Sequence, residues 1–182
     1  MKTLVAELEG AGLLTESALD ATIESFLTHA SPANAARAIA RAWADPAFRT
    51  RLLADGNAAL AELGIDLAHW APVKLRVVAN EPQRHNLIVC TLCSCYPIAL
   101  LGPSPSWYKS AAYRSRAVRD PRGVLAEFGT VLGDDVEIVV WDSTAEVRYL
   151  VLPQRPAGTE TLDEAALAAL VTRNGMIGTA TV

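Results

Sequence analysis

Three cysteines fall within six residues of this chain, at Cys90, Cys93 and Cys95, and the chain has no others. Thiolates bind soft metal ions strongly, and neighbouring thiols also carry out redox chemistry. A structural zinc site needs four ligands and an iron–sulfur cluster usually needs four cysteines, but the sequence has no second cysteine pair and its three histidines are scattered. Three sulfurs and the backbone nitrogens between them can face one ion from a single tight loop. The residues by themselves predict a mononuclear metal site or a redox site, with the metal left open.

The bulk composition of the chain argues against several classes of function. With 182 residues, 51% of them hydrophobic, the chain is long enough to bury one sizeable core. The formal net charge of −4, with no basic run interleaved with aromatic residues, predicts no binding to nucleic acid. No segment approaches the ~20 apolar residues that cross a bilayer, and a carboxylate appears as early as Glu7. We therefore expect a cytoplasmic protein that binds no membrane.

The first third of the chain is rich in alanine and in helix start signals. Thr15, Ser31 before Pro32, and Asp45 before Pro46 each place a capping side chain ahead of a helical segment. We predict that the first two helices form an N-terminal arm over residues 1–30 and that residues 31–182 form the metal-binding catalytic domain. The predicted helices cover about 2–11, 16–29, 32–43, 46–54 and 57–63.

The second of these helices carries an apolar stripe. Leu19, Ile23, Phe26 and Leu27 line one of its faces at helical spacing. Packing on the chain's own domain and packing on a partner explain such a stripe equally well.

A change of pattern after residue 70 predicts strands around the cysteines. Residues 72–79 alternate in part like a strand, and residues 86–89 form a short apolar run that leads into Cys90. The proline- and glycine-rich segment 97–105 is expected to prevent regular structure until about Trp107. This places the cysteines on a loop held by the flanking core.

The remaining residues predict further helices and the two best strands of the chain. Helices first and strands later indicate an α+β fold, with a helical arm followed by a layered α/β metal-binding domain that contains a small sheet. The predicted elements are helices at about 110–119, 121–128 and 163–172 and strands at about 136–141 and 147–152.

The segment around the cysteines carries a specific motif. Residues 89–97 read VCTLCSCYP, which resembles the signature of nitrile hydratase α subunits. The similarity in order and spacing extends over most of the chain. It is carried further by WYKS at 107–110, YRSR at 113–116, RDPR at 119–122, WDS at 141–143, RY at 148–149 and LPQRPAGT at 152–159.

The resemblance implies a metal site with five protein ligands. In that family the ligands are three cysteine sulfurs and two backbone nitrogens, which here are the sulfurs of Cys90, Cys93 and Cys95 and the nitrogens of Ser94 and Cys95. It also implies that Cys93 is oxidised to sulfinic acid and Cys95 to sulfenic acid. Thr91, where iron-type members carry serine, implies one low-spin cobalt(III) ion per chain, with iron(III) as the alternative.

The activity that the resemblance implies is hydration of a small-molecule nitrile to the amide. A trivalent ion would act as a Lewis acid on the nitrile or on bound water, with Cys93, Ser94 and Cys95 as the candidate catalytic residues. The attacking nucleophile is left open among a hydroxide on the metal, an outer water and the Cys95 sulfenate oxygen. Anionic sulfur and nitrogen donors leave excess negative charge on the site, and in that family arginines of a separate β subunit meet the oxidised sulfurs. The chain is therefore expected to need a β subunit, of one or two chains, and a metal-loading activator protein.

Several residues around the motif are candidates for a second shell. Asp142, Glu146 and Arg148 match positions that the family places behind the metal or at the subunit interface, although an ion pair between strands explains them equally well. Arg114 could hold the loop or the β subunit, or lie on a solvated helix face. Tyr96 could hydrogen-bond near the site through its hydroxyl, or simply pack.

One departure from the family pattern bears on the substrate. The family commonly continues Pro-Trp-Pro after the cysteines, whereas residues 97–99 here read PIA. Replacing an indole by Ile98 should widen the substrate side of the pocket, so we expect a bulky, heteroaromatic nitrile of the toyocamycin kind. Trp107 and Tyr108 are predicted to be core residues rather than substrate contacts.

Two other functions stay open. The metal-bearing subunit of thiocyanate hydrolase uses a similar cysteine loop, but its residue at the position of Ile98 tends to be basic, which argues against an anionic substrate here. A metal carrier or redox sensor without turnover would exchange metal reversibly and form no amide.

Overall fold

A computed structural model describes residues 2–67 and 73–182, with side chains described for all of these except 2–3 and 26–29. Helices dominate the first third, and four strands and further helices follow. The helices are α1 (Lys2–Gly10), α2 (Glu16–His29), α3 (Pro32–Ala44), α4 (Pro46–Ala54), α5 (Gly56–Glu62), α6 (Ile98–Leu101), α7 (Ala111–Arg119), α8 (Pro121–Glu127), α9 (Glu164–Leu170) and α10 (Arg173–Ile177), with a 3-10 helix at Ser106–Lys109. The strands are β1 (Lys74–Ala79), β2 (Arg84–Val89), β3 (Glu137–Asp142) and β4 (Val147–Leu152).

The predicted helix starts are confirmed by their caps. The Thr15 hydroxyl accepts a hydrogen bond from the Ala18 backbone N–H, and the Ser31 hydroxyl accepts one from Ala33. The Asp45 carboxylate accepts two, at 2.9 and 3.1 Å, from the first turn of α4. Each cap satisfies a backbone donor that has no partner inside the helix, which fixes where the helix begins.

The four strands form two parallel pairs. β1 pairs with β4, and β2 pairs with β3. The second pairing sets Val89 opposite Asp142, and the Ser143 N–H then donates a 2.8 Å hydrogen bond to the Val89 carbonyl. The strand that leads into Cys90 is therefore held in register up to its last residue.

Burial also fixes the approach to the cysteines. Leu87, Ile88 and Val89 are fully buried, and each such side chain stabilises the fold by about 1.5–3 kcal/mol relative to an exposed one. The C-terminal segment closes over the same strand, where a Cβ on Gly178 would stand 1.9 Å from the Asn86 carbonyl oxygen. Only glycine fits at that contact, because the site combines this approach with a φ of +89°.

The segment after the cysteines differs from our expectation. Regular structure was expected to be absent until about Trp107, but α6 forms one helical turn directly after Pro97, and the 3-10 helix begins at Ser106. A proline at a helix start costs nothing, because its missing N–H would have no partner there. Gly102, at a φ of +67°, then ends α6. The sequence pattern also missed α10, which Thr172 caps through its hydroxyl.

The two arm helices leave apolar side chains open to solvent. Leu13 is 76% exposed and Ile23 is 48% exposed, while Leu19 is half-buried. The side chains of Phe26 and Leu27, the other half of the predicted stripe, lie outside the described residues. In the described half of the stripe, Ile23 is thus open to solvent while Leu19 is partly covered, and the arm boundary at residue 30 stays a prediction.

None of the helices within the described residues combines the length and the apolarity that spanning a membrane requires.

Candidate metal centre

The three cysteines lie on a loop between β2 and α6, and we call residues 90–95 the claw loop. Cys90 follows β2 directly and is buried, Cys95 is half-buried and Cys93 is exposed. The Cys93 sulfur lies 3.3 Å from that of Cys90 and 3.1 Å from that of Cys95. All three sulfurs lie within 4.8 Å of one another.

These distances fit one shared metal ion. A thiolate binds a first-row metal at about 2.3 Å, so two sulfurs at right angles about one ion stand about 3.3 Å apart. The measured separations match that arrangement for both neighbouring pairs. Only Cys90, Cys93 and Cys95 form a metal-ligating cluster among the histidine, cysteine, aspartate and glutamate side chains that the structure describes.

Neighbouring thiols and backbone N–H groups shift the pKa values of the cysteines in opposite directions. The pKa of Cys93 falls to about 7, chiefly because the Cys95 thiol, then the Cys90 thiol, donate hydrogen bonds to its sulfur. The backbone N–H groups of Cys95 and Ser94 also face this sulfur and lower its pKa further. Burial, and then the interaction with Cys93, raises the pKa of Cys95 to about 12. The three cysteine sulfurs thus form one tight cluster, with the Cys93 backbone N–H donating a 3.4 Å hydrogen bond to the Cys90 sulfur within it.

Asp142 holds the start of the claw loop. Its carboxylate accepts a 2.9 Å hydrogen bond from the Thr91 backbone N–H and a 2.5 Å hydrogen bond from the Thr91 hydroxyl. The pairing of β2 with β3 brings this carboxylate opposite the loop. The resemblance places Asp142 behind the metal or at the subunit interface, and the structure shows its carboxylate against Thr91 at the start of the claw loop.

Two side chains from the far side hold the loop through its carbonyl groups. Arg114 on α7 donates a 2.7 Å hydrogen bond from Nη1 to the Cys93 carbonyl oxygen. Tyr108 in the 3-10 helix donates a 3.0 Å hydrogen bond from its hydroxyl to the Cys95 carbonyl oxygen. With Asp142, these contacts fix the loop backbone at three points.

The other second-shell candidates lie at different distances from the loop. Tyr96 follows Cys95 directly, is buried, and packs edge-on against Tyr108, while its hydroxyl is buried without a hydrogen-bond partner. Arg148 donates hydrogen bonds to the Thr144 and Ala145 carbonyls, and its positive charge acts on Cys95, whose pKa it lowers against the effect of burial.

Glu146 makes its side-chain hydrogen bond away from the claw loop. Its carboxylate accepts a 2.9 Å hydrogen bond from the Thr144 hydroxyl. The described ion pairs include none among Asp142, Glu146 and Arg148, so the alternative of an ion pair between strands is not seen. The structure brings Asp142, Arg114, Tyr96 and Arg148 to the loop, and it leaves Glu146 beside Thr144.

Two tyrosines support the site in ways that the sequence pattern did not reveal. Tyr108 was predicted as core and is fully buried, but its hydroxyl also binds the claw loop. Tyr113 donates a 2.6 Å hydrogen bond to the Ile88 carbonyl, on the strand that carries Cys90. The available signal was that a buried tyrosine hydroxyl usually finds a partner, but the pattern could not say which one.

A small apolar cavity lies beside the claw loop. It measures about 210 Å³ and is lined by Tyr96, Pro97 and Ile98 on one side and by Leu75 and Arg148 on the other. The residues that follow Cys95, Ile98 among them, therefore form one wall of the cavity.

The outer side of the loop is open. Leu92 within it is 92% exposed, and Val118 on the neighbouring helix α7 is 53% exposed. Val118 also lines a groove of about 390 Å³, together with Thr91, Arg114 and Arg119 among others. An apolar residue this exposed at the mouth of a site is typical of a surface that a partner covers.

Comparisons with known proteins agree with this geometry. The family model described as nitrile hydratase, alpha chain, matches residues 1–180. The low-molecular weight cobalt-containing nitrile hydratase subunit alpha of Rhodococcus rhodochrous is 50% identical over 178 residues, or 98% of this chain and 85% of that protein. The thiocyanate hydrolase subunit gamma of Thiobacillus thioparus is 45% identical over 158 residues, or 82% of this chain and 65% of that protein.

The fold of the chain also resembles that of a solved nitrile hydratase structure. A double mutant of the Fe-type nitrile hydratase from Comamonas testosteroni Ni1 superimposes with a TM-score of 0.92 at 40% identity, covering 99% of this chain and 87% of that one. The match confirms the predicted α+β fold. The chain belongs to the nitrile hydratase α-chain family, and its three cysteines form the cluster that fits a metal site.

Proposed function

We propose that this chain carries a low-spin cobalt(III) ion and, together with a β subunit, hydrates a nitrile to the corresponding amide. The observation that supports this most is the clustering of three cysteine sulfurs within 4.8 Å of one another in the claw loop. The ligands are the sulfurs of Cys90, Cys93 and Cys95 and the nitrogens of Ser94 and Cys95, with Cys93 as sulfinic and Cys95 as sulfenic acid. When bound, the ion supplies Lewis acidity that polarises the carbon–nitrogen triple bond of the substrate.

Cobalt is favoured over iron by two observations. Thr91 stands where serine is found in iron-type members, and the 50% identical relative is described as cobalt-containing. The Thr91 hydroxyl is also bound to Asp142, so this residue is part of the loop's support rather than a free surface group. Iron(III) is the alternative ion.

The open side of the claw loop supports a requirement for a β subunit. Leu92 and Val118 offer exposed apolar contact, and Arg119 adds positive charge at the edge of the groove. Sulfur anions and metal-bound amide nitrogens also need more cationic or hydrogen-bonding neighbours than this chain supplies. The partner is one or two chains, and a metal-loading activator protein delivers the cobalt. Cytoplasmic location stays a prediction.

The residues around the proposed ligands have different roles, which depend on where each contacts the claw loop. Asp142 and Arg114 hold the loop backbone, and Arg148 supplies positive charge near Cys95. Tyr96 packs edge-on against the buried Tyr108 ring, and its hydroxyl has no hydrogen-bond partner among the residues that the structure describes. Glu146 accepts a hydrogen bond from Thr144, whose carbonyl oxygen accepts one from Arg148, so any effect of Glu146 on the site is indirect.

The substrate is a bulky, heteroaromatic nitrile, and Ile98 sets this preference. Ile98 lines the 210 Å³ cavity beside the claw loop, and the larger side chain of a tryptophan there would narrow it. We expect Ile98→Trp to lower kcat/KM for a nucleoside-type nitrile by about 10-fold or more while leaving acrylonitrile within about 3-fold, because pocket contacts of this size are worth about 1–3 kcal/mol. Steady-state assays with both nitriles measure the ratio.

A matched variant makes this comparison specific. Leu100 is a buried residue on the same helix as Ile98. Leu100→Met nearly keeps its side-chain volume, so the ratio of the two kcat/KM values should change little. A wild-type enzyme that turns over acrylonitrile with the higher kcat/KM, or an unchanged ratio in Ile98→Trp, would contradict the assignment of substrate size.

The reaction itself is tested by producing the chain with its β subunit in cobalt-containing medium. We expect amide formation from nitriles and no conversion of thiocyanate, because Ile98 stands where the thiocyanate hydrolase subunit tends to carry a basic residue, which leaves Arg148 as the cation that lines the cavity. The 45% identity to a thiocyanate hydrolase subunit makes thiocyanate the necessary second substrate. Conversion of thiocyanate would favour that activity, and reversible metal exchange without either product would favour a metal carrier.

A further inference from the structure

Arg114 makes a contact that singles it out from the other side chains around the claw loop. Its Nη1 donates a 2.7 Å hydrogen bond to the Cys93 carbonyl oxygen. That oxygen belongs to the Cys93–Ser94 peptide, whose nitrogen is one of the two backbone ligands of the proposed function. Arg114 therefore touches a ligand group through its oxygen, on the side away from the sulfurs.

The positive charge of Arg114 is not cancelled by a carboxylate. Arg116, two positions further along α7, lies 3.4 Å from the Asp120 carboxylate and 2.6 Å from that of Glu127. Arg114 pairs with no acidic side chain in residues 2–67 and 73–182, and its buried Nε has no hydrogen-bond partner. The Arg114 guanidinium thus contacts the claw loop and forms no ion pair with a described carboxylate.

We propose that Arg114 is a positioning residue that fixes the plane of the Cys93–Ser94 peptide and stabilises the negative charge of this peptide when Ser94 N binds the metal. The inference rests on the proposed function. The Ser94 nitrogen binds without its proton, which passes to water, and the negative charge left behind is shared with the Cys93 oxygen because the peptide unit is conjugated. A hydrogen bond from a charged donor to that oxygen is stronger than one from a neutral donor.

The other anchors of the loop do not act on a ligand peptide in this way. The Tyr108 hydroxyl binds the Cys95 oxygen, which belongs to the peptide of Tyr96 N and not of a ligand nitrogen. It is also a neutral donor. Asp142 contacts Thr91, at the start of the loop. Tyr108 and Arg114 therefore form a natural pair for comparison, since both hold a loop carbonyl but only Arg114 touches a ligand peptide.

The test uses the cobalt-loaded complex with the β subunit and four variants. Arg114→Met removes the charge and the donor, Arg114→Lys restores a charged donor, Tyr108→Phe removes the neutral anchor, and Arg116→Met removes a paired cation from the same helix. Two quantities are measured: cobalt retained in competition with a chelator, and the energy of the sulfur-to-cobalt charge-transfer absorption. Circular dichroism and thermal melting check the fold of each variant.

For Arg114→Met we expect about 10-fold weaker cobalt retention, within the range found for outer-shell partners of metal ligands. We also expect the absorption to move to higher energy, because a ligand peptide without its cationic neighbour donates more charge to cobalt, which then accepts less from sulfur. Arg114→Lys should recover part of both effects. Tyr108→Phe should keep the wild-type band even where the loop is less stable, and Arg116→Met should match the wild type in both quantities.

Several results would overturn the inference. An Arg114→Met complex with the wild-type band and cobalt retention within twofold excludes an effect on the ligand, and so does a lysine variant no better than methionine. If Arg114→Met does not assemble, Arg114→Gln keeps a neutral donor and gives the same comparison with lysine. A wild-type complex that binds no cobalt removes the proposed function and this inference together, whereas normal cobalt binding with unaffected Arg114 variants removes the inference alone.

Discussion

Replacing Cys95 by alanine should lower cobalt affinity by more than about 100-fold, beyond the range found for outer-shell residues, because it removes a ligand atom itself. Cys95 is the half-buried member of the cluster, with its sulfur 3.1 Å from that of Cys93. Cys90 and Cys93, the other two cysteines of the chain, already supply ligands in the proposed site and cannot replace it. Elemental analysis of the purified complex, expressed as cobalt per α chain, measures the loss.

A matched variant separates side-chain ligation from backbone ligation at the next position. Ser94 contributes only its main-chain nitrogen to the proposed site, and alanine retains that nitrogen. Ser94→Ala should therefore hold cobalt at close to one equivalent, whereas Cys95→Ala should hold almost none. Full cobalt occupancy in Cys95→Ala, or its loss in Ser94→Ala with the fold intact, would contradict the proposed ligand set.

Asp142→Ala should lower cobalt affinity by about 100-fold, at the upper end of the range for outer-shell residues. The carboxylate accepts hydrogen bonds from both the backbone N–H and the hydroxyl of Thr91, the residue after Cys90. Without these two hydrogen bonds the start of the claw loop is no longer anchored. Part of the free energy of metal binding is then used to order the loop, which lowers the affinity. Isothermal competition with a chelator measures the change.

Two further variants sharpen this prediction. Asp142→Asn keeps one acceptor oxygen and should fall between the wild type and alanine. Asp134→Asn removes an exposed carboxylate from the turn before β3 and should bind cobalt as the wild type does. The role of Asp142 would be refuted by an alanine variant that binds as tightly as Asp134→Asn while its thermal melting is unchanged.

The parts of the fold that the sequence predicted correctly are those set by local chemistry. Ser31 and Asp45 begin helices because their side chains satisfy the first free N–H groups, a rule that acts within three residues. The strand ending at Val89 was legible as an apolar run. The cysteine cluster could be predicted for the same reason, because three thiols within six consecutive residues must lie close together in space.

The parts that the pattern missed depend on distant contacts or on a short, marginal helix. Nothing in the segments 84–89 and 137–142 says that they pair in parallel across about fifty residues, and this pairing is what brings Asp142 to Thr91. The helix at Ile98–Leu101 was missed because prolines on both sides argue for a loop, although a proline before a single turn is compatible with it.

For the residues that surround the claw loop, the sequence likewise predicted some of the residues but not their contacts. Arg114 and Asp142 were candidates by their positions in motifs, but their acceptor and donor atoms on the claw loop became visible only in three dimensions. Tyr108 and Tyr113 were missed as anchors because a buried tyrosine in a pattern looks like any core aromatic residue. Motif similarity placed Glu146 behind the metal or at the subunit interface, and this stays a prediction, since the structure shows only that its carboxylate accepts a hydrogen bond from Thr144.

The central claim is that one cobalt ion is held by the claw loop with two oxidised cysteines. The direct measurement is elemental analysis of the complex matured with its β subunit, combined with mass spectrometry of the tryptic peptide from His85 to Lys109, which contains all three cysteines. The claim predicts close to one cobalt per chain and the added oxygen of one sulfinic and one sulfenic acid on that peptide. Zinc, a disulfide among these cysteines, or unmodified thiols without metal would contradict it.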